Sequence, residues 1–351
     1  MASVDKFSVT FLVDNSIEWF TKLPPGFTHE LPQHLQQENP APHPHPVTGV
    51  PVLDFDAFCC GAHGFSALIE TQITGEAPHF TLFDTGPDSQ SLVRNVKAMQ
   101  IPVDNLCALA HRHSDHTGGL ISFLNLRTRN GPECVVDCHP DRPISRGMAR
   151  GPLFDKVFAA LPDDPTFEEI EAAGGVVEKH ASGHAVAAGS VWISGEIPRV
   201  TAFEAGVPGG KRWVSDDGGK WISDELILDE RYAVVDVAGK GLVIFSACSH
   251  AGIVNVARDA VAKFSRPIHM IIGGLHLAPP DSPIEPTIAF LSRQIVPSPA
   301  YILPMHCSGF QCKVALEAAF GEGCVPAGVG MKVEVLGDRE LDKRLYPATI
   351  I

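Results

Sequence analysis

The segment "HRHSDH" places His111, His113, Asp115 and His116 within six positions, directly after the apolar run "LCALA" (106–110). Neutral imidazoles and a carboxylate suit zinc, and also iron or manganese. Residues two apart in an extended segment project to the same side, so His111 and His113 can grip one ion. The chain then turns through Thr117-Gly118-Gly119, which lets Asp115 and His116 face a second ion nearby. One short segment can therefore seed a two-metal site. A chance run of surface histidines is the bland alternative. It is disfavoured because four polar groups beside a buried strand are costly unless something coordinates them.

Each ion in a working site needs about three protein ligands and an open position, so further ligands must come from downstream. Three histidines stand just past apolar, strand-like runs: His250 after "LVIFSACS", His276 after "MIIGGL" and His306 after "YILPM". Strand ends hold rigid backbone that aims a side chain. By order, His250 is assigned to the ion of His111 and His113. His276 is the preferred additional ligand of the Asp115/His116 ion, with His306 its rival. Asp115, which can assist proton transfer while coordinating, and His306 are the catalytic candidates. Cys248 either coordinates as a thiolate or packs as a small hydrophobe, with packing or a supporting role favoured. His184, in "SGH", is left outside the ligand set because its flanks do not read as a strand end.

The elements that must position these groups are legible in most of the chain. Alternating or apolar runs predict strands at 6–13, 65–71, 79–86, 106–111, 134–139, 232–237, 242–247, 269–274 and 300–306. Helices are expected near 89–99, 252–263, 284–294 and 311–320. Strands mixed with helices in two similar halves imply an α/β fold of layered sheets flanked by helices. The Pro-, Gln- and His-rich stretch 22–51 reads as an inserted loop, and 140–190 resists assignment.

Composition narrows the partners. The 351 residues carry a formal charge of −14, which argues against a nucleic-acid polyanion. Nine cysteines are an odd number and form no small disulfide framework. No signal-like N-terminus and no run long enough to span a bilayer is present. The expectation is a cytoplasmic protein with reduced thiols, a small-molecule substrate, no nucleic acid and no membrane partner. Neither a phosphate-binding P-loop, a Rossmann fingerprint nor a G-x-S-x-G nucleophile elbow occurs.

"HRHSDHTGG", preceded by "LFDTG" (82–86), resembles the metallo-beta-lactamase superfamily. "HGFSALIE" (63–70), "SGEIPR" (194–199), "GLVIFSACSHAGIVN" (241–255), "IIGGLHL" (271–277) and "MHCSG" (305–309) resemble, in order, one subgroup of it. That subgroup is typified by the dihydropterin-ribofuranosylaminobenzene-phosphate synthases of methanopterin-type cofactor assembly. The resemblance implies an αββα metallo-beta-lactamase-type sandwich of two mixed sheets flanked by helices, with the metal site at the sheet edges. It also implies a single domain over 1–351, carrying the 22–51 insertion as a lid or rim. Two zinc ions are expected, with manganese or iron as alternatives.

Asp84 of "FDTG" then orients a ligand or its loop. His63 and Ser66 resemble positions that face the site. Glu196 and Arg199 of "SGEIPR" are substrate-binding candidates, because an arginine fork suits phosphate or carboxylate; a surface salt bridge between the two fits the spacing equally well. Ser308 caps the helix near Gln311 or receives an anion. The implied activity is hydrolase or transferase chemistry on a phosphorylated or pterin-like substrate, through a dinuclear centre and activated water. The competing readings are a general hydrolase of lactones or phosphodiesters, and a catalytically silent metal-binding sensor. A di-iron redox protein is disfavoured, since such superfamily members show Glu where His113 stands and carry a flavin domain.

Overall fold

The computed structural model describes residues 1–36, 44–50, 52–109, 114–127, 132–215, 218–278 and 282–351. Two sheets stack face to face. The first has the strand order Gly175–Lys179, Cys134–Cys138, Cys107–Leu109, His79–Phe83, Ser66–Gln72, Lys6–Val13, Lys332–Leu336, Phe27–Thr28. The second runs His184–Val186, Val191–Ile193, Ala233–Val237, Gly241–Ser246, Ile268–Gly274, Tyr301–Met305, with Ser3–Val4 also paired to Ala233–Val237.

The period-2 alternation of a strand sends successive side chains to opposite faces, and here both faces are apolar. In Gly241–Ser246, Val243 and Phe245 enter the core between the sheets, where they join Phe7, Phe11, Phe83 and Leu303. Leu242 and Ile244 point the other way, against Val254, Ala257 and Ala260 of the helix Ile253–Phe264. The first sheet repeats the scheme. Its outer residues Leu12, Leu68 and Leu82 pack with Leu92, Val96, Leu120 and Phe123 of the helices Ser89–Ala98 and Leu120–Leu126. Each such buried side chain contributes roughly 1.5–3 kcal/mol of transfer free energy. The result is the αββα layering.

Strand direction decides where chemistry collects. Gly241–Ser246, Ile268–Gly274 and Tyr301–Met305 are mutually parallel, so the segments bearing His250, His276 and His306 leave one edge of the second sheet. His79–Phe83, Cys107–Leu109 and Cys134–Cys138 are likewise parallel in the first. Asp84 directly follows the first of these strands, and the short helix Ser114–Thr117 that bears Asp115 comes after the second in sequence.

Two stretches differ from the sequence reading. The described part of 22–51 is not all loop: Phe27–Thr28 pairs with Lys332–Val333, and Glu30–Gln36 is helical. Glu30 is fully buried and accepts the Cys59 N–H at 2.7 Å, which ties this helix to the sandwich. The stretch 140–190 supplies Arg146–Ala149 and Val157–Ala160, which join Gly210–Val214 and Lys220–Ser223 in a four-stranded antiparallel sheet. Strands of four or five residues rich in Gly and Ala carry too short a period to be seen in sequence. Among the described residues, no helix is long and apolar enough to cross a membrane.

Candidate metal centre

At the sheet ends, Asp115, His116, Cys248 and His306 bring one ligand atom each to within 4.8 Å of one another. They arrive from three separate segments. Asp115 and His116 lie in the short helix Ser114–Thr117 that follows the strand Cys107–Leu109. Cys248 and His306 follow Gly241–Ser246 and Tyr301–Met305. His306 Nε2 lies 3.2 Å from Asp115 Oδ2, and His116 Nε2 lies 3.2 Å from Cys248 Sγ. His306 Nε2 is buried and has no hydrogen-bond partner. An imidazole nitrogen aimed at a carboxylate and flanked by a second imidazole and a thiol is a set of donors of the kind that can hold a metal ion.

The histidines are held from behind. His116 Nδ1 lies 2.8 Å from Asp84 Oδ2, His250 Nδ1 lies 2.9 Å from Glu230 Oε1, and His306 Nδ1 lies 3.3 Å from Asn15 Oδ1. An acceptor on Nδ1 fixes the tautomer and leaves Nε2 for an ion. The backbone shares in this. Glu230 also accepts the N–H groups of His250 and Ala251, and Asp14 accepts the N–H of His306 at 2.7 Å. Asp84, His276 and His306 adopt left-handed φ angles of 63°, 50° and 43°. Such strain persists where surrounding structure over-determines it.

Electrostatics follow burial and these partners. Burial works against a charge on His116, but Asp115 and Asp84 outweigh it and raise its pKa to about 9. Burial lowers His306 to about 4 against the pull of Asp115, and burial with the neighbouring His250 lowers His276 to about 4. Burial pushes the Cys248 thiol well up.

A cavity of about 500 Å³ opens above the cluster. His63, Asp115, Cys248, His250, His276 and His306 form its floor, and residues of the four-stranded sheet and its flanks (Arg146, Met148, Leu161, Val207, Lys211) form its wall. None of the described residues of 22–51 lines it. Two of its basic side chains differ in commitment. Arg146 is buried against both carboxylate oxygens of Asp229, at 2.7 Å each, and against Asp224. Lys211 has no ion-pair partner among the described residues.

The remaining sequence candidates are distributed as follows. His111 and His113 lie outside the described residues. His276 packs its ring against His250, centroids 4.7 Å apart, rather than joining the Asp115 cluster. His63 faces the cavity, its Nδ1 3.0 Å from Asn15 Nδ2. Ser66 turns away and donates to Asp84 O, so it holds the loop rather than facing the cavity. Ser308 is buried, accepting the Leu275 N–H and donating to Met305 O. Arg199 donates to the carbonyls of His250 and Leu226, and neither it nor the exposed Glu196 lines the cavity. Sequence reasoning missed Asp14, Asn15 and Glu230. The first two stand at the end of the strand Lys6–Val13, so the strand-end argument applied to histidines would have found them.

Comparison with known proteins agrees with this architecture. No family model matches the chain. A crystal structure of Tm1679, described as a metal-dependent hydrolase of the beta-lactamase superfamily, superposes with a TM-score of 0.62 at 20% identity, covering 94% of this chain and 99% of that one. The chain is therefore a protein of the metallo-beta-lactamase fold. Its sequence is also similar to two curated proteins. It is 28% identical over 265 residues to the 7,8-dihydropterin-6-methyl-4-(beta-D-ribofuranosyl)-aminobenzene-5'-phosphate synthase of Methanocaldococcus jannaschii, covering 74% of this chain and 85% of the relative. An uncharacterized protein of the same organism is 27% identical over 72% of this chain and 87% of its own length.

Proposed function

We propose that the chain is a cytoplasmic, single-domain metal-dependent enzyme acting by hydrolysis or group transfer on a small anionic molecule, phosphorylated or pterin-like. The observation that carries this reading is the convergence of Asp115, His116, Cys248 and His306 at one cluster, three of them lining the cavity above it. His111, His113 and His250 would hold one ion, and Asp115, His116 and His306 the other, with Cys248 beside them. Zinc suits this set best. When bound, such an ion supplies Lewis acidity, polarising a substrate oxygen and acidifying a water.

The chain's own residues supply the rest. Asp84, Glu230 and Asn15 fix the imidazoles, so the ligand geometry exists before substrate arrives. Asp115, whose side chain is 24% exposed, is the one member of the cluster open enough to exchange a proton with a bound substrate. Met148, Leu161 and Val207 give the cavity an apolar wall that excludes water from a flat substrate body. Lys211 offers a cation for the anionic group. A similar relative, named as the synthase of a dihydropterin-linked ribofuranosyl-aminobenzene 5'-phosphate, supports the substrate class.

The test is metal analysis joined to a substrate panel. Metal-replete protein should lose about two ions per chain when His116 and His250 are both replaced by Ala, and the wild type should turn over at least one of a phosphodiester, a lactone, a thioester or a phosphorylated pterin, with loss of at least ~100-fold in Asp115→Ala. Metal-loaded protein inert across the panel would favour the silent sensor instead.

A further inference from the structure

A second cavity, of about 670 Å³, shares no lining residue with the first. Asp137, Glu178, His180, His184 and His79 are among its walls. Asp137 sits on the inner side of the strand Cys134–Cys138. The neighbouring strand Gly175–Lys179 runs parallel in a register that sets Lys179 beside Cys138. The next residue, His180, donates its backbone N–H to Cys138 O at 2.9 Å, which fixes it over Asp137. His184 opens the edge strand His184–Val186 of the opposite sheet. The two sheets thus meet across three metal-capable side chains.

Their geometry is that of a ligand set. His184 Nε2 lies 2.5 Å from Asp137 Oδ2 and His180 Nδ1 lies 3.5 Å from Asp137 Oδ1. The two rings stack at 3.8 Å between centroids and 28° between planes. One ligand atom from each residue falls within 4.8 Å of the others. His180 Nδ1 is buried and has no hydrogen-bond partner. Asp137 is held in place by Arg231, which donates to its Oδ1 at 2.8 Å and to its backbone carbonyl at 3.1 Å. A buried imidazole nitrogen left without a partner is costly, and two imidazoles on one carboxylate form an open donor set for a divalent transition ion.

We propose that Asp137, His180 and His184 form a metal site separate from the catalytic one, taking a divalent ion such as zinc and clipping the edges of the two sheets together. Arg231 positions the carboxylate from behind, in the way outer partners support metal ligands. The remaining coordination positions open toward the cavity and Glu178. This assignment stands apart from the reading of the first site. The rival account is a purely structural network in which Asp137 bridges Arg231 and His184 while His180 is a bystander.

The full chain, stripped with a chelator and re-equilibrated with zinc, separates the two. His180→Gln is the deciding variant, because it leaves the Arg231–Asp137–His184 contacts in place. It should lower the zinc content by about one ion per chain, or weaken that ion at least ~10-fold, and remove several degrees of the zinc-induced rise in Tm. His184→Ala should do the same. Both losses should recur in an Asp115→Ala, His306→Ala background, where the first site is impaired. Unchanged zinc content and an unchanged zinc-induced Tm shift in folded His180→Gln would overturn the proposal. Loss of fold in His184→Ala leaves that decision with His180→Gln.

Discussion

His306 Nε2 lies 3.2 Å from Asp115 Oδ2, joining the last strand end of the second sheet to the short helix Ser114–Thr117 that follows Cys107–Leu109 of the first. The contact supports His306 in the place that sequence order gives by preference to His276. His306→Ala should therefore remove the ion shared with Asp115 and His116, lowering metal content by about one per chain. His276→Ala should leave that ion in place and change substrate affinity instead. Elemental analysis of both variants after metal-replete purification checks this, and equal metal loss in the two would return His276 to the ligand set.

Glu230 accepts from the backbone of His250 and Ala251 and lies 2.9 Å from His250 Nδ1. Removing an outer partner of a metal histidine typically costs 10–100-fold in metal affinity or activity. Glu230→Gln should weaken the His250 ion by roughly that factor while preserving the fold. Competition with a chromophoric chelator measures it. An affinity equal to wild type would mean that Glu230 serves only the turn after the strand Gly241–Ser246.

The strand ends bearing His250, His276 and His306 were legible because long apolar strands announce themselves, and the parallel order then gathers their ends. Which histidine faces which ion was not. That depends on a left-handed turn at His306, held by the N–H it donates to Asp14 far away in sequence. The wall sheet was hidden because its strands are short and carry little alternation. His184 stays outside the ligand set read from sequence for the same reason: its edge strand has three residues, and three residues show no period. In sequence Arg199 reads equally as a fork for an anion and as the partner of Glu196, yet backbone carbonyls take its donors. No spacing in "SGEIPR" could reveal that.

The helix Ile253–Phe264 begins three residues after His250, and its first N–H groups are capped by a distant carboxylate. Glu204 accepts from Val254 and Asn255 at 2.8 Å each and from the Thr201 hydroxyl. A Cβ at Gly252 would run into that carboxyl, and Gly252 has φ 93°. Gly252→Ala should cost at least ~1–3 kcal/mol, read as a shift in denaturation midpoint.

Burial raises the Glu204 pKa against the three donors that lower it. The folded protein therefore holds this proton more tightly than the unfolded chain. As pH rises from the ordinary carboxylate range through the folded value, the native state binds more protons than the unfolded one, so this contribution to stability falls. Glu204→Gln removes the titration. The stability of wild type relative to Glu204→Gln should decline as pH rises through that window, measured by urea unfolding at a series of pH values. A difference independent of pH would show that the carboxyl titrates alike in both states.

Lys211 and Arg199 make the last contrast. A net charge of −14 repels an anionic substrate at long range, so a local cation must compensate. Arg199 donates to the carbonyls of His250 and Leu226 and is absent from the cavity wall, whereas Lys211 stands in it. A hydrogen bond to a charged group is worth about 1.5–3 kcal/mol, roughly one to two decades in binding. Lys211→Ala should thus weaken a phosphorylated ligand by that factor and leave its dephosphorylated counterpart unaffected. Arg199→Ala should lower stability, by about 1–2 kcal/mol for the two carbonyls it abandons, and should affect both ligands alike. Titrating each variant with the phosphorylated and dephosphorylated forms gives four affinities. If phosphate selectivity were lost in Arg199→Ala and kept in Lys211→Ala, the anion would be read by the arginine after all, and its carbonyl contacts would have to open when substrate binds.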